Sequence, residues 1–168
     1  MKLSRATAMF GQMNKGALRT VTLTGYNRFS DTIRPMASNL PRHIDVRFEP
    51  AAVPPGEQTS IVFFMRSDKC PLYGFVEDSI YISPDPLSSL ICPITTTAII
   101  QEDFSKLSAK QLANAPKATL SAESVDFGKV EGTAPLTRSI TITNTGKSEM
   151  TVRRVYSGDS GVLSLIHI

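Results

Sequence analysis

Apolar and polar residues alternate with a period of two along most of this chain. The segment His43-Ile-Asp-Val-Arg-Phe-Glu49 shows the pattern without a fault. Alternation places Ile44, Val46 and Phe48 inward and His43, Asp45, Arg47 and Glu49 outward, as in a strand with one solvated face. Similar runs predict strands over Leu3 to Phe10, Leu18 to Thr24, Asp31 to Met36, Gly74 to Ser83 and Ile91 to Ile100. Ser60-Ile-Val-Phe-Phe-Met65 is apolar on both faces and reads as a central or covered strand. Between these runs lie turn signals. Pro55 suits position i+1 of a type II turn and Gly56 the positive-φ position after it. Pro84-Asp-Pro86 breaks the run that ends at Ser83. Seven short strands with turns at this spacing predict an all-β protein, an immunoglobulin-like β-sandwich.

The pattern then returns. Leu3-Ser4 and Phe10-Gly11 match Leu120-Ser121 and Phe127-Gly128 at a spacing of 117 residues. Thr20 to Thr24 matches Ser139 to Thr143, and Thr32-Ile33-Arg34 matches Thr151-Val152-Arg153, both at 119. The two-residue shift falls in a turn, where an insertion is easily accommodated. Collinear matches of this kind predict two copies of one module. Residues 1–102 are then the first domain, 103–117 a linker, and 118–162 a second domain that is about half a sandwich. Truncation of that second sandwich is therefore expected. The last six residues, 163–168, resemble a translated sequencing adapter and are set aside as an artefact.

The linker carries one local signal. Ser108-Ala-Lys-Gln111 matches a capping box and Pro116 bars extension, which predicts a short helix from Ser108 to about Asn114. Phe104, Leu107 and Leu112 are expected to pack it into the junction and make it semi-rigid.

Composition narrows the function. Net charge is +3, with both signs interspersed, and Trp is absent. This argues against a dedicated nucleic-acid surface. No apolar run approaches the ~20 residues of a membrane span. The sequence has two histidines, and His167 lies in the suspected artefact. One remaining histidine builds no multi-His metal site, and His43 reads as a surface residue. No nucleophile elbow, P-loop or His-Glu-x-x-His motif occurs. Glu77, Asp78, Asp85, Glu102 and Asp103 are scattered and read as solvated charge, although Glu102 and Asp103 border the linker as calcium ligands can. Arg153 reads as an ordinary outward strand residue. Cys70 and Cys92 flank a strand of about ten residues, so their ends lie roughly 30 Å apart. A disulfide needs Cα atoms within about 7 Å. Cys92 is expected in the core and Cys70 in a loop, both as free thiols. No catalytic, cofactor-binding or metal residue is assigned, and the chain does not read as an enzyme.

The Phe-Gly pairs, Ile140-Thr-Ile-Thr-Asn-Thr-Gly146, Pro54-Pro-Gly-Glu57 and the Gly74-to-Ile82 strand together resemble the ASH/Hydin-like immunoglobulin modules, related in fold to major sperm protein. The chain looks most like a bacterial family of unknown function that carries such modules in tandem, and Glu102-Asp103-Phe104-Ser-Lys-Leu107 resembles that family's linker. Many members carry a Ser-Cys-Gly-Cys motif after their third strand. Here Ala37-Ser-Asn-Leu-Pro41 stands in that region, so no functional residue of the family carries over. The resemblance implies a periplasmic, cell-surface or secreted setting. It implies a non-catalytic structural or interaction module of a bacterial cell-envelope protein, with a protein or glycan partner. Two other readings stay open: an accessory domain of a larger envelope enzyme whose catalytic part lies outside this sequence, and a small-ligand or metal-binding module.

Overall fold

A computed structural model describes residues 1–157 and 162. Residues 158–161, within the expected second domain, and the adapter-like 163–168 lie outside the described residues. The chain divides into two compact units, Met1–Asp103 and Phe104–Ile168.

Unit 1 holds eight strands: β1 (Lys2–Leu3), β2 (Thr7–Asn14), β3 (Leu18–Tyr26), β4 (Met36–Ser38), β5 (Ile44–Glu49), β6 (Gln58–Arg66), β7 (Gly74–Ser83) and β8 (Cys92–Gln101). They form two four-stranded sheets, ordered β1-β3-β6-β5 and β2-β8-β7-β4. That division of strands, with the first strand split between sheets, is the immunoglobulin-like sandwich arrangement. Pairing is antiparallel throughout except between β2 and β8, which run parallel.

The run expected as one strand from Leu3 to Phe10 is thus two strands in two sheets. Nor does the strand end at Phe10, since β2 runs on to Asn14. Met9 pairs with Thr97 and Gly11 with Ala98, so Phe10 is the extra residue of a β-bulge. Gly11 takes φ 69°, which a residue with a Cβ adopts only with strain. The bulge resets the alternation, so Ala8 and Phe10 point inward and then Met13 does. Arg19 Nη1 donates to the displaced Phe10 carbonyl at 2.6 Å.

Strand β6 explains its unbroken apolar run by its central place. Ile61, Phe63 and Met65 are buried between the sheets. Val62 and Phe64 are half-buried on the outer face, where the Arg47 guanidinium lies 5.1 Å from the Phe64 ring centroid. Ile80, Ile82, Ile94 and Ile100 close the core from the other sheet. Burying each such side chain contributes about 1.5–3 kcal/mol. The strand expected over Asp31 to Met36 is shorter and later; before it, Ile33 makes only an isolated bridge to Val53.

Two inward positions differ from expectation. His43 is 5% exposed, not a surface residue. It stands in the turn before β5, so strand alternation does not govern its side chain. Asp78 follows the alternation Val76, Asp78, Ile80, Ile82 on the inner side of β7, and its carboxylate is only partly solvated.

Cys70 lies in the connection between β6 and β7, as expected, but its degree of burial and that of Cys92 differ from expectation. Cys70 is buried within the core cluster, and Cys92 is half-buried beside it. The turn around Cys70 closes through its N–H to the Ser67 carbonyl at 3.3 Å, and Lys15 Nζ donates to its carbonyl. A water-soluble maleimide is expected to label Cys92 first and Cys70 only on denaturation. Equal labelling rates in the native protein would place Cys70 at the surface.

Unit 2 contains α1 (Ala109–Ala113), β9 (Ala118–Leu120) and β10 (Ile142–Asn144). The capping box forms: Ser108 Oγ accepts from the Gln111 N–H, and the Gln111 side chain accepts from the Ser108 N–H at 2.9 Å. The helix buries none of its residues, and Phe104 and Leu112 are exposed rather than packed.

Strands β9 and β10 pair as β1 and β3 do. Lys2 opposes Tyr26 and Leu3 opposes Gly25; Thr119 opposes Thr143 and Leu120 opposes Ile142. The Ser4 N–H donates to the Thr24 carbonyl and Ser4 Oγ accepts from the Thr24 N–H. Ser121 and Thr141 make the same reciprocal pair. Asn27 Oδ1 accepts from the Phe29 N–H while its Nδ2 donates to the Asp31 carbonyl; Asn144 does so with Gly146 and Ser148. Gly11 and Gly128 both take positive φ, 69° and 65°. Every one of these correspondences keeps the spacing of 117. The expected two-residue shift is therefore absent at this pairing.

Candidate functional site

Three connections of unit 1 meet at one end of the sandwich: residues 27–35 after β3, 50–57 between β5 and β6, and 84–91 between β7 and β8. This is the end at which immunoglobulin-type domains gather one set of loops on a rigid scaffold.

Asn27 ties the cluster together. It is 1% exposed. Its Nδ2 donates to the Asp31 carbonyl at 2.8 Å and to the Val53 carbonyl at 2.9 Å, and its Oδ1 accepts from the Phe29 N–H at 2.9 Å. Its backbone joins in, with its N–H donating to the Glu57 carbonyl and its carbonyl accepting from the Gly56 N–H. One side chain thus folds the first loop back on itself and fastens it to the second. The Ile33–Val53 bridge adds two backbone hydrogen bonds of 3.0 and 2.9 Å.

Between the first and third loops lies an open cleft of about 290 Å³, lined by Phe29, Asp31, Thr32, Ile33, Pro84, Asp85 and Ser88. Its polar groups already serve the loops. Asp85 Oδ1 accepts from the Leu87 N–H at 2.9 Å, and Ser88 Oγ accepts from the Leu90 N–H at 3.1 Å. On this third loop Leu87 is 96% exposed, and Leu90 and Ile91 are also exposed. Exposed aliphatic residues on a loop that also lines a cleft can dock a partner surface.

Of the residues weighed in the sequence, Asp85 lines this cleft. His43 and Asp78 meet elsewhere, across the two sheets, with the imidazole Nε2 donating to Asp78 Oδ2 at 2.9 Å. Glu77 faces outward on β7, and Glu102 and Asp103 stand at the end of unit 1. The Arg154 guanidinium lies 4.4 Å from the Tyr156 ring centroid. Among the described residues, no three His, Cys, Asp or Glu side chains are grouped as metal ligands, and no helix is long and apolar enough to cross a membrane.

Sequence reading missed Asn27 and the cleft. The signal for Asn27 was an asparagine at a strand end, able to close a turn on the backbone two residues on. The signal for the exposed third loop was three large aliphatics, Leu87, Leu90 and Ile91, in a Pro- and Ser-rich connection.

No family model matches the chain, and no curated protein matches it. Among solved structures, it is similar to a protein of unknown function from Porphyromonas gingivalis W83, at 17% identity and TM-score 0.55. That likeness covers 87% of this chain, so it extends beyond Met1–Asp103 into unit 2. The chain spans 66% of the length of that protein. SSP-19, an MSP-domain protein like family member in Caenorhabditis elegans, is 14% identical with TM-score 0.39, covering 59% of this chain and 99% of its own. The CupB2 chaperone of Pseudomonas aeruginosa is 15% identical with TM-score 0.39, covering 70% of this chain and 63% of its own. The overlap of these last two is too small to bear on function. What the Porphyromonas protein shares with this chain is its fold, an all-β sandwich.

Proposed function

We propose that this chain is a non-catalytic structural and interaction module of a bacterial cell-envelope protein, with its contact surface at the three-loop end of unit 1. The carrying observation is Leu87, almost fully exposed on the loop that supplies Pro84, Asp85 and Ser88 to the cleft and whose turns are closed by Asp85 and Ser88. An aliphatic residue held outward on an ordered loop is available for burial against a partner. The reading includes a tandem arrangement, in which unit 2 repeats the strand pairing of unit 1. The constant spacing of 117 between Ser4–Thr24 and Ser121–Thr141 supports it. The envelope setting rests on the resemblance to ASH/Hydin-like modules. A surface protein or a glycan is the partner class expected there.

A photo-reactive side chain at position 87 tests this reading in envelope fractions. One discrete crosslinked species is expected, weakened by about tenfold or more when Leu90 and Ile91 are both replaced by Ser, since each removes one buried aliphatic anchor. Crosslinking that is diffuse, or unchanged by those replacements, would remove the loop end from consideration.

A further inference from the structure

Unit 1 pairs its first long strand with its last, side by side and in the same direction. We propose that this β2–β8 ladder is a mechanical clamp, which lets unit 1 carry tension along the chain without unfolding. That a load exists rests on the proposed role, in which the module holds a partner at the cell envelope. The clamp itself is a property of unit 1 alone.

The topology sets the direction of the load. Strands β2 and β8 run parallel, from Thr7 opposite Thr95 to Asn14 opposite Gln101. Tension enters β2 at its N-terminal end and leaves β8 at its C-terminal end, so it is applied at opposite ends of the ladder. It acts along the strands, in opposite senses on the two, and the evenly spaced hydrogen bonds between them share it. The ladder is bonded beyond its paired residues at both ends. The Thr95 N–H donates to the Ala6 carbonyl at 2.9 Å, and the Lys15 N–H donates to the Gln101 carbonyl at 2.8 Å. Every other strand pair of unit 1 is antiparallel, and such a pair pulled from facing ends opens one residue pair at a time. Strand β1 precedes β2 but makes only two residue pairs with β3, so it yields before the clamp is loaded.

Three features hold the ladder against a slide. The first is parity: a slip of one residue would turn the buried Ala8, Phe10 and Met13 toward solvent. The second is the bulge. It needs a positive φ beside Phe10, and Gly11 is the only glycine of β2, so the bulge cannot migrate along the strand. The third is a pair of side-chain bonds at the end where the load leaves. Gln101 Oε1 accepts from Gln12 Nε2, and Gln101 Nε2 donates to Asn14 Oδ1 at 2.8 Å. Both partners stand on β2, so both bonds cross the sheared gap. Gln12 and Gln101 are exposed, so these bonds satisfy no buried group, and core packing does not account for them.

Single-molecule force spectroscopy on the full chain tests the clamp by changing where the chain is pulled. Handles on reactive side chains introduced in place of the exposed Arg5 and Lys106 load β2 and β8 in shear. Unfolding of unit 1 is then identified by a length gain of about 300 Å. Handles in place of the exposed Leu72 and Lys106 pull instead on the facing residues Gly74 and Ile100, and peel β7 from β8 pair by pair. At one loading rate the shear geometry is expected to rupture at about threefold higher force or more. Gln101→Ala is expected to raise the unfolding rate at fixed force by about fivefold or more in the shear geometry and to leave the peeling geometry unchanged. Gln12→Ala, which removes one of the two side-chain bonds, should have a smaller effect in the same geometry. Equal rupture forces in the two geometries would overturn the clamp. So would a Gln101→Ala variant that accelerates neither geometry, or both alike. These results leave docking by the Leu87 loop untouched, because crosslinking at position 87 reads it without load. Failure of that crosslinking, in turn, leaves the rupture forces as they are.

Discussion

Replacing Asn27 by Ala is expected to destabilise unit 1 by about 2–4 kcal/mol and lower its melting temperature by roughly 10–20 °C. The side chain is buried and makes three hydrogen bonds to loop backbone. Removing it leaves the half-buried Phe29 N–H and the more exposed Asp31 carbonyl without their partners; such a group costs about 1–3 kcal/mol where water cannot reach it and less where it can. Val53 keeps one bond, from the Ile33 N–H, which limits the loss. Against a total stability of about 5–15 kcal/mol the remainder is large. The first loop also loses its fastening to the second, so the wall that Phe29, Asp31, Thr32 and Ile33 give the cleft should loosen with it. Asn27→Asp separates hydrogen bonding from space filling. It has nearly the same shape and keeps the acceptor for Phe29, but it turns two donors toward carbonyls into a carboxylate oxygen. Asp is therefore expected to cost at least as much as Ala. Chemical denaturation followed by fluorescence of the tyrosines measures both. A loss below about 0.5 kcal/mol for Ala, or a harmless Asp, would refute the role of Asn27 as the tie between loops.

The same residue shows how far the chain could be read without its structure. Period-two alternation located most of the strands of unit 1, because each side chain's face follows from its parity once a strand is extended. Parity fails where the backbone leaves the strand. His43 belongs to a turn, and the bulge at Phe10 shifts the phase by one. The inward place of Asp78 was legible, since it lies in step with Val76, Ile80 and Ile82. It was assigned to solvent on its charge alone, although a carboxylate can face a core when a partner reaches it. That partner, 35 residues earlier in the chain, belongs to the other sheet, and no local pattern announces it. The loop cleft is of the same kind. Its walls come from segments more than 50 residues apart, brought together only by the stacking of two sheets. Short-range signals fared differently: the capping box at Ser108 formed as read, because all its atoms lie within one helical turn.

The His43–Asp78 pair gives the second large effect. His43→Leu is expected to cost about 2–3 kcal/mol, and Asp78→Leu a similar amount, yet the double replacement should cost under about 1 kcal/mol. The pair spans the sandwich, from the turn before β5 to the inner side of β7, with the imidazole nearly buried and the carboxylate 24% exposed. Each partner alone would be a polar group facing apolar neighbours. Left without His43, Asp78 keeps a charge near Ile80 and Val76 with partial hydration only. The remaining exposure is why the expected loss falls below the ~3–5 kcal/mol of a fully buried broken pair. Replacing both groups removes the desolvation cost together with the attraction, and leucines of similar volume extend the core. The pair therefore adds little to net stability, and its consequence is for alignment. A hydrogen bond of fixed length between sheets penalises any slide of one sheet over the other, which apolar contacts tolerate more readily. Because β5 and β7 lead into the connections at residues 50–57 and 84–91, such a slide would move two of the three loops at the candidate site. The double variant is thus expected to melt normally but to bind less well through the Leu87 loop. Denaturation curves for the four proteins of the cycle test the energetics, and crosslinking at position 87 tests the alignment. Additive single losses would show that the two residues act independently. Undiminished crosslinking in the double variant would show that the sheets hold their register without the pair.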